Sequence, residues 1–132
     1  HGTQQINQGQ MDRWHIVSCL NYLSVELETK VVLSKVPELN NKKGGEVVKN
    51  MIELANLTRE GFKNGDISNL MSPRTVISWA ENYQIFSDLA SSFELSFLNK
   101  CDETEKPIIS EYLQRCFDIE IDDSVSNLVD QD

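Results

Sequence analysis

A mainly α-helical bundle, preceded by a loop and one short strand, is the fold class that this 132-residue chain predicts. Three observations predict it. Apolar residues recur at helical spacing from about Val25 to Cys116, serine and proline stand where helices begin, and the connections between periodic segments are short. With 39% hydrophobic residues there is enough apolar side chain for one core. No apolar run approaches the roughly 20 residues that span a bilayer, so no membrane segment is expected.

The first 13 residues are rich in Gly, Gln and Asn, which suits a loop or a short helix. The apolar run His15–Leu23, HIVSCLNYL, predicts a short strand. From about Val25 to Val36, Leu27, Val31, Val32 and Val36 fall near helical spacing, and Pro37 ends the segment. Asn40 to Gly45 is loop chemistry. Glu46 to Asn64 carries Val48, Met51, Ile52, Ala55 and Phe62 on one stripe and closes on Gly65, the pattern of a helix stopped by glycine.

After a turn at Asp66, Ser72 and Pro73 open the next helix. Proline in the first turn loses no hydrogen bond there, and the serine side chain can cap free N–H groups. Val76, Trp79, Ala80, Tyr83 and Phe86 are spaced to face a core, and Leu89, Phe93 and Phe97 continue the helical pattern as far as Leu98. Asp102 to Glu105, with Pro107 in a first turn, announces a last helix lined by Ile108, Ile109, Tyr112, Leu113 and Cys116. From Asp118 onward acids accumulate with little that can pack, which predicts a solvated tail. There is no internal repeat.

Charge and cysteine usage exclude several functions. Twelve Lys and Arg against 21 Asp and Glu leave a net charge of -9, so the whole-chain field repels nucleic acid and any anion must be held locally. Cys19, Cys101 and Cys116 form no Cys-x-x-Cys pair, which points to reduced thiols and a cytoplasmic setting. His15 and Cys19 would share a face on a helix, and on the expected strand they would point to the same side without forming a chelate; two ligands fall short of a stable metal site, so no metal is assigned. His1 is not an initiator methionine, and no leader precedes the first motif; a fragment without a signal peptide is the expectation.

Arg74 is the most informative residue. Its place in SPRTVISWAEN puts a guanidinium in the first turn of a helix, beside the positive end of the dipole, where it gains nothing from the dipole. Either it pairs with a carboxylate such as Glu81 or it is there for an anion. A second arginine, Arg13, sits in the polar run Gln10-Met11-Asp12-Arg13-Trp14. The chain contains no G-x-x-x-x-G-K-[ST] phosphate loop and no apolar run ending in Asp-Glu, so it cannot bind and split ATP by itself.

Taken together, GTQQINQGQMDRW, LMSPRTVISWAEN and FLNKCDETEKPIISEYLQRCF resemble the carboxy-terminal part of the small ATPase subunits of aerobic cobaltochelatases. These are ring-forming AAA+ proteins of the chelatase and MoxR branch. The resemblance spreads over most of residues 1–118 and is weakest over 30–46 and in the tail. It implies three regions: 1–24 as a remnant of the α/β nucleotide-binding core with its last strand, 25–118 as the helical lid, and 119–132 as an acidic tail. It gives Arg13 the place of an arginine finger, which reaches a neighbouring subunit's ATP, and Arg74 the place of the sensor 2 arginine, which binds the nucleotide. Asp12 would orient Arg13 or cap a turn.

Arginine suits both positions, since its rigid, always-charged fork can hold two phosphate oxygens, and such fingers contribute about 10³ to 10⁵ in rate elsewhere. The resemblance further implies ATP and Mg²⁺ bound mainly by the absent upstream half, and self-association into a ring with other cobaltochelatase subunits. Co²⁺ would be inserted into hydrogenobyrinic acid a,c-diamide by the whole complex. Residues 99–106 are either a charged connector that caps the last helix or a contact patch, in which Lys100 and Arg115 would meet the adjoining subunit or the partner chelatase subunits; Arg59 is either surface charge or part of that contact. Trp14 and Trp79 belong to a core or line the same interface. Two other functions fit the residues: a MoxR-like remodelling ATPase that assembles a different metalloenzyme, or a non-catalytic helical interaction module.

Overall fold

The computed structural model describes residues 12–20 and 23–117. The expected loop over residues 1–11, positions Asn21 and Tyr22, and the acidic tail from Asp118 lie outside the described residues. Every regular element among those described is helical, in the order α1 (residues 12–20), α2 (Val25–Lys35), α3 (Lys42–Asn64), α4 (Pro73–Phe86), α5 (Leu89–Ser96) and α6 (Lys106–Phe117).

The strand expected at His15–Leu23 is corrected: residues 12–20 are helical. A lone strand has no neighbour to pair its backbone groups, whereas a helix satisfies them within the segment. The burial pattern follows the helical period. Val17 is buried with Arg13 and Leu20 half-buried beside it, while Trp14, His15, Ile16, Ser18 and Cys19 are exposed.

Several helix ends are set by capping side chains or by glycine. The Ser24 hydroxyl accepts from the Leu27 N–H to start α2, and the Ser72 hydroxyl accepts from the Thr75 N–H at the start of α4, with Pro73 in its first turn. α3 begins at Lys42 rather than Glu46, because the Asn41 side chain caps it through the Gly44 N–H. Gly44 is required there: a Cβ would collide with the Leu39 carbonyl in the 3₁₀ turn Pro37–Leu39. At the other end Gly65 adopts φ 85°, a left-handed conformation that costs glycine little, and its N–H returns to the Gly61 and Phe62 carbonyls.

The pattern expected to run through Leu98 is broken. Ser87 turns left-handed at φ 58°, and the Asp88 carboxylate caps α5 by accepting from the Ala90 and Ser91 N–H groups. A 3₁₀ turn, Leu98–Lys100, follows.

The long helix α3 packs against α2, α4 and α6, and α5 lies on α4. Their shared core contains Val32, Val48, Met51, Ile52, Ala55, Val76, Phe93, Ile109 and Leu113 around Trp79. The Trp79 ring lies 4.8 Å from Phe93 and 5.8 Å from Phe117, centroid to centroid. Its Nε1–H donates to the Leu89 carbonyl and the Ser92 hydroxyl, so its polar atom stays satisfied inside the core.

Four residues expected to face the core are exposed instead: Leu27, Val31, Phe86 and Ile108. On α2 the inward positions are taken by Val32 and by Glu28, a carboxylate on a buried stripe. Phe86 is turned outward at the end of α4, where the chain reverses through Ser87.

Candidate functional site

The eight residues between α3 and α4, 65–72, lead directly to Arg74 and are tied down from several directions. Arg13 on α1 reaches their start. Its Nη1 donates to the Phe62 carbonyl at 2.7 Å and the Ile67 carbonyl at 3.1 Å, and its guanidinium lies 4.6 Å from the centre of the Phe62 ring. A cation on these carbonyls sits at the negative end of the α3 dipole, where it is favoured. The carboxylate of Glu105, just before α6, accepts from the Ser68 N–H and hydroxyl at 2.8 and 2.7 Å.

Met71 is fastened at both backbone groups. Its N–H donates to Thr58 Oγ1 at 3.0 Å, and its carbonyl accepts from Arg59 Nε at 2.7 Å. Arg59 is itself gripped by Glu28, whose two carboxylate oxygens accept from Nη1 and Nη2 at 2.9 and 2.7 Å. Both side chains are 1% exposed. Arg59, expected as surface charge or a subunit contact, is therefore corrected to a buried tie between α2, α3 and the start of α4. Its guanidinium is too polar to be buried without partners, and Glu28, Asn56 and Met71 supply them.

Arg74 itself is exposed in the first turn of α4. Among the described residues no carboxylate lies within ion-pair distance of it; Glu81, the alternative partner, does not pair with it. The other sequence-predicted residues do not gather around it. Trp14 is exposed with the Lys63 ammonium 5.2 Å from its ring centre, while Trp79 is in the core. Lys100 is exposed beyond α5, and Arg115 pairs with Glu111 at 2.7 Å on the outer side of α6.

His15 Nε2 and Cys19 Sγ are 3.8 Å apart on exposed α1, and no group of three or more His, Cys, Asp or Glu that could hold a metal occurs among the described residues. Burial, helped by the Glu53 charge, pushes the Cys116 thiol up to about 11, and burial also raises Cys101. Neither is a ready nucleophile. No described helix is long and apolar enough to cross a membrane.

An exposed guanidinium without an ion-pair partner among the described residues, on a fixed helix start, can complete an anion site whose remaining donors come from another body. The residues that sequence reasoning missed are the ones that hold it there: Glu28, Thr58 and Glu105. Glu28 was detectable in principle, since it falls in helical register with Val32 and Val36 on the buried side of α2, and a carboxylate in that position needs a cationic partner.

The aerobic cobaltochelatase subunit CobS of a Sinorhizobium species is 54% identical to this chain over 129 residues, covering 98% of the chain. This chain is homologous to CobS. It spans 39% of the length of that CobS protein. No protein-family model matches the chain, and no solved structure does. The homology covers nearly all of the described helices, so the Arg74 helix start and the ties that hold it lie within the matched length.

Proposed function

We propose that this chain is the carboxy-terminal part of the ATPase subunit of an aerobic cobaltochelatase, the helical lid that closes over a nucleotide held by the rest of the subunit. The 54% identity to CobS across 98% of the chain carries this reading. In the complete complex, ATP hydrolysis by a ring of such subunits would drive Co²⁺, as substrate, into hydrogenobyrinic acid a,c-diamide in cobalamin biosynthesis.

The residues of this chain fit a supporting share of ATP chemistry. The sequence has no phosphate loop and no acidic magnesium motif, so ATP and Mg²⁺ would be held mainly by the upstream half. Arg74 offers a guanidinium without an ion-pair partner among the described residues. In the sensor 2 role it would bind phosphate oxygens, and its charge would oppose the negative charge developing on the transferring group. Arg13, in the finger role, would serve a neighbour's nucleotide. That action requires Arg13 to exchange its bonds to the Phe62 and Ile67 carbonyls for phosphate oxygens, so closure of the ring and release of Arg13 would be linked. Trp14, Lys100 and Arg115, all exposed, are available to subunit contacts.

Replacing Arg74 by alanine in the complete subunit tests the assignment. ATP turnover is expected to fall at least about tenfold, roughly 1.4 kcal/mol of barrier, with thermal stability unchanged because Arg74 is exposed. Unchanged turnover would remove Arg74 from the site.

A further inference from the structure

The polar ties on the α3–α4 connection end at Met71, immediately before the Ser72 cap that starts the Arg74 helix. A solvent-exposed arginine has a long, mobile side chain, so its aim depends on how firmly its backbone is held. Here the backbone is held at both groups of one residue. Thr58 Oγ1 accepts from the Met71 N–H while donating its own proton to the Ala55 carbonyl, which fixes the hydroxyl's orientation. Arg59 Nε donates to the Met71 carbonyl, and the Glu28 carboxylate occupies both Nη atoms of the same guanidinium.

Stability does not by itself account for an ion pair in this position. A buried carboxylate and guanidinium often hold two helices together no better than apolar side chains of similar volume would. The feature an apolar pair lacks is the bond from Nε to Met71. We propose that Glu28, Thr58 and Arg59 form a clamp that positions Arg74 for its contact with nucleotide phosphate, with Arg59 as the positioning residue. This inference rests on Arg74 being a phosphate-binding group.

The experiment is a double-mutant cycle on the complete subunit, assembled with nucleotide, with kcat and KM for ATP hydrolysis measured separately. The clamp is replaced by the apolar pair Glu28→Met with Arg59→Met, alone and combined with Arg74→Ala, and urea denaturation establishes that each variant is folded. With the clamp gone, kcat is expected to fall about ten- to a hundredfold, the scale of an ångström-sized misplacement. Adding Arg74→Ala to the clamp variant should then lower kcat little further, because a misaimed guanidinium has little left to lose.

If the apolar pair keeps wild-type kcat while Arg74→Ala lowers it, the clamp proposal fails and the Arg74 assignment stands. Losses that simply multiply would also overturn it, since Arg59 would then act by another route. Should Arg74→Ala itself leave kcat unchanged, the phosphate-binding assignment fails and takes the clamp with it. If the apolar pair does not fold, Thr58→Val, which removes the acceptor for the Met71 N–H together with the hydroxyl's bond to the Ala55 carbonyl and leaves the ion pair in place, decides by the same cycle.

Discussion

Glu28 and Arg59 respond differently to being removed singly and together. Arg59→Met alone leaves a carboxylate buried without its cation, and such orphaned charges cost about 3–5 kcal/mol; the double apolar replacement should cost less, about the 1–3 kcal/mol of a Met71 carbonyl left without its donor. Urea unfolding of the single and double variants checks this, and equal losses would show that packing rather than charge decides. The thiols offer a second residue-scale test. Cys19 is exposed, whereas Cys101 is buried and Cys116 half-buried, both held above the ordinary thiol range. Alkylation of the native chain at neutral pH should modify Cys19 first. Because the folded chain keeps the Cys116 proton up to about 11 against an ordinary 9.0, its stabilising contribution is whole below pH 9 and is lost as pH rises toward 11. Alkaline denaturation of a Cys116→Ala variant should show a weaker decline across that window.

At the level of elements, the helix signals were local and therefore legible. Ser72 and Gly65 act within a turn of their own position, so residue type and spacing were enough to find them. Where an element depended on a distant neighbour, local chemistry pointed elsewhere. Lys42–Gly45 has loop composition yet forms the first turn of α3, because Asn41 caps it and Gly44 admits the Leu39 backbone. HIVSCLNYL has strand composition yet is helical over residues 15–20, with Val17 buried and Arg13 held on the end of α3. Gly44→Ala should consequently be more damaging than Gly65→Ala. The second places one residue in a left-handed turn at about 1–2 kcal/mol, whereas the first forces backbone apart. Thermal melts of both variants would rank them, and the reverse order would mean that the α3 start can shift freely.

For the whole molecule, Arg13 and Arg74 stand at opposite ends of one clamped connection, one engaged and one free of ion pairing among the described residues. Arg13→Ala separates a structural role from a transferred one. Losing its two carbonyl bonds should cost the chain about 1–3 kcal/mol. If the side chain also reaches a neighbour, the complete ring should bind ATP normally but lose hydrolysis, with partial recovery when Arg13→Ala subunits are mixed with catalytically dead ones. Loss of stability without any effect on turnover would confine Arg13 to the end of α3. Arg74 was singled out from sequence because a cation in the first turn of a helix runs against the dipole and so calls for another reason. The clamp behind it was not, because Glu28, Thr58 and Arg59 lie on two helices and become neighbours only when those helices pack.

Sequence by itself determined the helical class, the extent of α2 and α6, the end of α3, the start of α4, the net negative charge and the arginine at a helix start, since each follows from composition or from interactions within one turn. Tertiary structure decided which charges are buried, where Arg13 is bound, and how Met71 is held. Those outcomes depend on partners distant in the chain, and a buried ion pair is favourable only when packing delivers both halves to the same place.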